Sequence, residues 1–224
     1  MHHPYYYDIY IPRDQVIGVV VSGGLDSSLL WHMIYGVCLE RNQKCIPFTV
    51  PKVDGALTYA TRMLRWSSEW YGTKQLHPFV IDPGIDQNRK DPFIGTEVAQ
   101  QLLGSIRIIV DEGYADTVYT GVNAYPPEYE TLCSYHTPGE RNLSRDSDAV
   151  HNGQLVRDLI RQPFADMTKD ELIEIAHEQQ VLEPISELSH SCVELIRGRC
   201  GECFWCKERE WGFTNSGHID KGTN

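Results

Sequence analysis

Val19-Val20-Val21-Ser22-Gly23-Gly24-Leu25-Asp26-Ser27-Ser28 is the stretch that decides how this chain folds. It ends a β-branched run, Ile17-Gly18-Val19-Val20-Val21, that has no polar break and reads as a strand buried on both faces, as in a parallel sheet. Two glycines then let the backbone turn tightly, and an apolar helical segment, Leu29 to Tyr35, follows. Such a turn suits an anion. Backbone N–H groups at the start of a helix point outward, and the helix dipole favours negative charge there. Ser22, Ser27 and Ser28 add hydroxyl donors, and glycines let phosphate oxygens approach the backbone. Asp26 is the odd member, because a carboxylate repels phosphate unless it holds Mg²⁺. The plainer alternative is a strand–helix turn with Ser or Asp as the N-cap and no ligand.

Outward from this loop, strands and helices alternate. Strands fit Cys45–Val50, His77–Ile81 and Thr117–Val122, and order returns at Leu159–Phe164; helices fit Ala56–Tyr71, Ile94–Glu112 and a segment from Thr168, where Thr168 and Glu171 form a capping box. Within the third helix, Val98, Leu102, Leu103, Ile106, Ile109 and Val110 mark the apolar face. This alternation predicts an α/β fold with a doubly wound, five-stranded parallel sheet. Residues 123–156, rich in Pro, Tyr, Ser, Asp and Asn, break the pattern and read as a substrate lid or a disordered loop.

Composition narrows the class. The 41% hydrophobic and 23% charged residues are ordinary for a globular chain. No run of about 18 apolar residues is present, so no membrane-spanning segment is expected. The polar, aromatic start MHHPYYYDIYIPRDQ lacks the layout of a signal peptide, and a cytoplasmic protein is expected. A formal net charge of −11 argues against a sequence-independent grip on nucleic acid.

Of seven cysteines, Cys192, Cys200, Cys203 and Cys206 fall inside fifteen residues. Two successive CxxC steps place three thiolates around one point, and a fourth from a nearby loop completes a tetrahedron, which zinc prefers. Gly201 permits the tight turn, and Arg197, Arg199, Lys207 and Arg209 supply positive charge nearby. An iron–sulfur cluster is the rival occupant of four cysteines.

The string Ser-Gly-Gly-Leu-Asp-Ser, in its strand–helix context, resembles the pyrophosphate-binding motif of PP-loop (N-type) ATP pyrophosphatases, whose fold is Rossmann-like. The chain more specifically resembles the 7-cyano-7-deazaguanine synthase family. The resemblance is carried by Ser22–Ser27, by Thr120-Gly121-Val122-Asn123-Ala124, and by Pro163-Phe164 with Lys169 six residues after Pro163. Ser191-Cys192, the run from Arg199 to Arg209, and Gly212–Asp220 complete it. It implies a ligase that adenylates the carboxylate of 7-carboxy-7-deazaguanine with ATP and, with ammonia, forms an amide and then a nitrile. It implies a nucleotide-binding set of Ser22, Gly23, Gly24, Leu25, Asp26, Ser27, Ser28, Val50, Gly121 and Asn123. A catalytic set of Asp26, Ser27 and Lys169 follows in the same way, with Mg²⁺ on the phosphates and zinc on Cys192, Cys200, Cys203 and Cys206. Residues 1–185 would then form the ATP domain and 186–224 a zinc module. The partners implied are small molecules, with a homodimer as the assembly considered.

The family's usual Asp-Tyr-Ser-Gly-Tyr-Pro-Asp-Cys-Arg stretch is replaced here by Tyr125-Pro126-Pro127-Glu128-Tyr129-Glu130-Thr131-Leu132-Cys133, and the turn Val50–Gly55 also differs. Three alternatives therefore stand beside this reading. The chain could join a deazaguanine acid to another amine, modify tRNA by adenylating a base, or bind ATP without turning it over. An intact Asp26 and Lys169 argue against the last, because a mere binder needs neither.

Overall fold

Ile17–Val20 (β1) is buried at every position, which is what a strand covered on both faces requires. The computed structural model describes residues 9–51, 55–82, 97–127, 132, 150–151, 154–155 and 160–222. In chain order the elements are β1, α1 (Leu25–Glu40), β2 (Cys45–Thr49), α2 (Ala56–Trp70), β3 (Phe79–Val80), α3 (Glu97–Asp111) and β4 (Thr117–Thr120). There follow β5 (Val150–His151), β6 (Gln154–Leu155), β7 (Ile160–Arg161), α4 (Lys169–Glu178), α5 (Leu182–Leu188) and α6 (Phe204–Ser216). The main sheet has five strands in the order β3-β2-β1-β4-β7, every neighbouring pair parallel, while β5 and β6 form a separate antiparallel pair. The expected doubly wound, Rossmann-like α/β fold is the one observed, with β1 at the centre of the sheet.

Alternation along β1 divides the core. Ile17 and Val19 join the larger cluster with Leu29, Leu30 and Trp31 of α1, Met63 and Leu64 of α2, and Leu172 and Ile173 of α4. Val20 faces the other way, toward Phe48, Val118 and Ile160, where Ile106 and Ile109 of α3 cover the sheet. Both faces are thereby closed, and the loop after β1 emerges at the carboxyl end of the central strand, where open α/β sheets bind ligands.

Some predicted bounds shift. Helix α1 runs from Leu25 to Glu40, well beyond Leu29–Tyr35, and β3 contracts from His77–Ile81 to two residues at the sheet edge. Where order is expected to return, over Leu159–Phe164, Ile160–Arg161 form the fifth strand, β7, and Leu159 lies outside the described residues. The lid expected over 123–156 falls largely outside the described residues, as do Ile94, Cys133 and Lys52-Val53-Asp54; the short β5–β6 ladder lies within that span. Among the described residues no helix is long and apolar enough to cross a membrane.

The C-terminal helix joins the main body. Phe213 of α6 is part of the larger core cluster. One turn earlier, the buried Arg209 is the hub of a polar lock: its Nε and Nη2 donate to Asp220 at 2.8 and 2.9 Å, Nη2 donates to the Ser186 carbonyl at 2.7 Å, and Nη1 donates to the Ser189 hydroxyl at 2.9 Å. Arg199 pairs with the same Asp220 carboxylate. Burial pushes the Asp220 pKa up, but the Arg209 hydrogen bonds and charge, the Gly222 N–H and Arg199 outweigh it and hold the carboxyl below its ordinary 3.8. A carboxylate with a depressed folded pKa stabilises the fold above its unfolded value and loses that contribution as pH falls through the folded one. Asp220→Asn is therefore expected to flatten the loss of stability below about pH 4. Asp220→Ala at neutral pH is expected to cost about 3–5 kcal/mol by stranding buried Arg209. Urea unfolding across pH measures both.

Candidate active site and metal centre

The loop after β1 is shaped by its glycines and serines. Gly23 has φ +79°, and a Cβ there would lie 2.5 Å from the Tyr59 Cβ and 2.7 Å from the Ala60 nitrogen, so the turn nests directly on α2. The Ser22 and Ser27 hydroxyls lie 3.0 Å apart, Ser27 Oγ accepts the Ser22 N–H at 3.1 Å, and Ser28 Oγ donates to the Gly24 carbonyl at 2.7 Å. The residue at the N-cap of α1 is Gly24, and no side chain caps the helix. The alternative of a turn closed by its own Ser or Asp cap is thus not what forms.

Asp26 lies in the first turn of α1, and its counter-charge comes from far away in sequence. The Lys169 ammonium donates to both Asp26 oxygens at 2.5 Å. Lys169 is the first residue of α4 and only 4% exposed, a position that disfavours a cation unless anions surround it. The capping box directly before it forms: the Glu171 carboxylate accepts the Thr168 N–H at 2.7 Å. A second carboxylate, Glu208 on α6, lies 3.6 Å from the ammonium.

The other predicted residues gather around this pair in different ways. Gly121 follows β4 and packs against the first turn of α1; a Cβ there would lie 2.7 Å from the Ser27 nitrogen and 2.9 Å from the Asp26 carbonyl carbon. Val50 is buried at the end of β2, and Leu25 is buried in the main core. The buried Asn123 amide donates to Glu208 Oε1 at 3.2 Å and to the Ala124 carbonyl at 3.0 Å. Glu208 is the residue the sequence reading passed over. Its spacing to Gly212, four residues on, was available, but its partners Lys169 and Asn123 lie 39 and 85 positions upstream. A cavity of about 290 Å³ bounded by Tyr10, Tyr119, Arg161 and Phe164 involves none of these residues.

Cys192, Cys200, Cys203 and Cys206 converge, with all four sulfurs within 4.8 Å of one another. Gly201, at φ +72°, makes the turn between the first pair. Cys203 is the N-cap of α6 and Cys206 lies in its first turn. Backbone N–H groups of Leu195, Glu202 and Cys203 point at cysteine sulfurs at 3.3–3.4 Å, the pattern that stabilises thiolate ligands. For the Cys200 thiol, burial acts upward but is outweighed by the N–H groups of Cys203 and Glu202 and by neighbouring thiols, which bring it down to about 7. The donor set fits a metal ion, so these four residues could hold one. Of the nearby cations, Arg199 and Arg209 direct their charge to Asp220.

The two sites are physically joined. The His190 N–H donates to the Gly23 carbonyl at 2.8 Å, and the His190 ring stacks on Tyr59 at 4.3 Å and 7°. The Tyr59 hydroxyl donates to the Ile196 carbonyl at 2.7 Å. The segment carrying Cys192 is therefore laid along the glycine loop and the start of α2.

The sequence model of the family described as queuosine biosynthesis protein QueC matches residues 143–217, a span that contains Lys169, the four cysteines and Glu208. The chain is 26% identical over 218 residues to the 7-cyano-7-deazaguanine synthase of Methanosphaera stadtmanae, covering 90% of this chain and 94% of that protein. Among solved structures, the U34-tRNA thiolase NcsA from Methanococcus maripaludis with its 4Fe-4S cluster is 16% identical, with 93% of this chain and 74% of that one covered and a TM-score of 0.44. The family model and the archaeal synthase together support a QueC-like family member.

Proposed function

We propose that this chain is an ATP-dependent ligase of the PP-loop pyrophosphatase kind that acts on a deazaguanine carboxylate, 7-carboxy-7-deazaguanine, with ammonia as the amine. The observation that carries the reading is the Lys169 ammonium 2.5 Å from both Asp26 oxygens at the uncapped start of α1. That arrangement brings one fixed cation and a row of N–H and hydroxyl donors to the place where pyrophosphate would leave. The family match and the synthase relative support a deazaguanine-related, ATP-dependent synthase, and the substrate named here is the one in keeping with them. ATP as co-substrate is in keeping with a cytoplasmic setting.

In this mechanism the substrate carboxylate attacks the α-phosphorus of ATP, and the bond to the bridging oxygen breaks to release pyrophosphate. Ammonia then displaces AMP from the acyl-adenylate and gives the amide. A second adenylation, on the amide oxygen, lets AMP leave as the nitrile forms. Ser22, Ser27 and the backbone of Gly23, Gly24 and Leu25 hold the departing pyrophosphate, while buried Ser28, bonded to the Gly24 carbonyl, shapes the turn behind them and Gly121 lets the β4 turn pack on it. Val50 and Asn123 stay in the proposed nucleotide-binding set, Val50 at the strand end and Asn123 through the carboxylate it holds behind Lys169. Bound Mg²⁺ would neutralise phosphate charge, with Asp26 as the residue to hold it.

The four cysteines are assigned to one zinc. Sulfurs within 4.8 Å of one another suit a single tetrahedral ion, whose ligand sulfurs stand about 3.8 Å apart at ordinary Zn–S lengths of ~2.3 Å. A four-iron cube would hold its thiolates farther apart. We retain a functional division at residue 185, with the cysteine segment as the smaller part.

Two measurements test the reading. With Mg-ATP, 7-carboxy-7-deazaguanine and ammonium, mass spectrometry is expected to show the nitrile, with AMP and pyrophosphate as co-products. Asp26→Asn is expected to lower turnover by about 100-fold or more with the fold intact. Formation of ADP, or unchanged turnover in the variant, would remove the chain from the adenylating class. Elemental analysis is expected to give one zinc per chain, lost with the stability of the C-terminal segment in Cys203→Ser. Iron with acid-labile sulfide would contradict the assignment.

A further inference from the structure

Glu208 lies two residues past the last cysteine of the metal centre, yet its carboxylate faces the ATP loop. It is 1% exposed, as is Asn123, whose amide donates to its Oε1 at 3.2 Å; its Oε2 stands 3.6 Å from the Lys169 ammonium. A carboxylate and an ammonium removed this far from water each demand partners, and here one ammonium is shared by two carboxylates, Asp26 and Glu208. The fit extends along the helix. Gly212 lies four residues after Glu208, on the same face of α6, and a Cβ there would lie 2.5 Å from the Lys169 Cγ and 2.9 Å from its Cβ. The lysine stem therefore runs over bare backbone at Gly212 and delivers its head between Glu208 and Asp26.

We propose that Glu208 is a positioning residue: anchored on the helix that starts at the cysteine cluster, it holds the Lys169 ammonium at Asp26 and so sets the positive charge that the ATP loop presents. The inference rests on the adenylation reading above for its effect on rate. Its geometry stands on three elements brought together at this point: the turn after β4 through Asn123, the start of α4 through Lys169, and α6 through Glu208 and Gly212. Asp26 alone could not fix the ammonium, because binding ATP and Mg²⁺ draws that carboxylate toward the phosphates. Glu208, shielded behind the lysine, keeps a partner on it throughout.

The test combines catalysis with binding of Mg²⁺ and α,β-methylene-ATP, read by calorimetry on the metal-loaded full chain. Glu208→Gln keeps the shape and removes the charge. It is expected to lower kcat for pyrophosphate release by about tenfold or more, with KM for ATP changed by less than about threefold and zinc content unchanged. Glu208→Asp, which restores the charge on a shorter stem, is expected to recover part of the rate. In binding, Lys169→Ala is expected to weaken the analogue by about tenfold, and adding Glu208→Gln to it by less than about twofold more, because the glutamate acts through the lysine. Additive losses, a turnover in Glu208→Gln equal to that of the unaltered chain, or a loss that tracks missing zinc would overturn the proposal. Should Glu208→Gln not fold, Glu208→Asp carries the same comparisons. An unaltered chain that binds the analogue but releases no pyrophosphate would sink the adenylation reading alone, leaving the binding cycle to decide on Glu208. One that does not bind the analogue would sink both.

Discussion

One buried ammonium organises this molecule. Lys169 is 4% exposed and pairs with a carboxylate 143 positions away, on a loop whose every other feature invites an anion. Removing a charge from water is unfavourable by several kcal/mol unless partners replace the lost solvation. The fold supplies those partners from both sides, and doing so obliges α4, α6 and the β1–α1 turn to meet at one point. Much of the rest follows as accommodation: Gly212 clears room for the lysine stem, and Gly121 brings the β4 turn onto α1.

The cysteine cluster and the glycine loop are consequently one piece of architecture, though far apart in the chain. His190 reaches the loop through its N–H, Tyr59 reaches back to the backbone beside the cysteines, and Arg209 of α6 donates to the Ser186 carbonyl of α5. A thiolate site that fixes the start of α6 also fixes everything that α6 presents to the lysine. Two of the cysteines and Glu208 are carried by the first turns of this thirteen-residue helix and its cap.

The parallel sheet and the glycine loop could be read from residues alone, because buried β-branched runs and Gly-Gly turns carry strong local signals. The four cysteines were legible through their spacing, whereas Lys169 was reached only through the resemblance to a known family. The extent of α1 was not: twelve of its sixteen residues are buried, so no polar face marks its period. Helix α5 is seven residues long with Pro184 in its first turn, where proline is tolerated but reads as a break. Helix α6 carries Gly212 and is buried at residues scattered around it, which hides its amphipathic stripe. Glu208 was invisible because a single sequence gives no register between elements. Its charge has meaning only once α4 and α6 are side by side, and nothing near it in the chain indicates that.

The distance in sequence between Asp26 and its two helpers also orders events during synthesis. The β1–α1 turn leaves the ribosome early, and pairing β1 with β2 requires only nearby residues. The lysine, the cysteines and Glu208 emerge much later, and long-range contacts of this kind form after local ones. Until α4 docks, the Asp26 carboxylate lacks its ammonium partner. The charge balance of the β1–α1 turn is thus completed by a part of the chain made long after the turn itself.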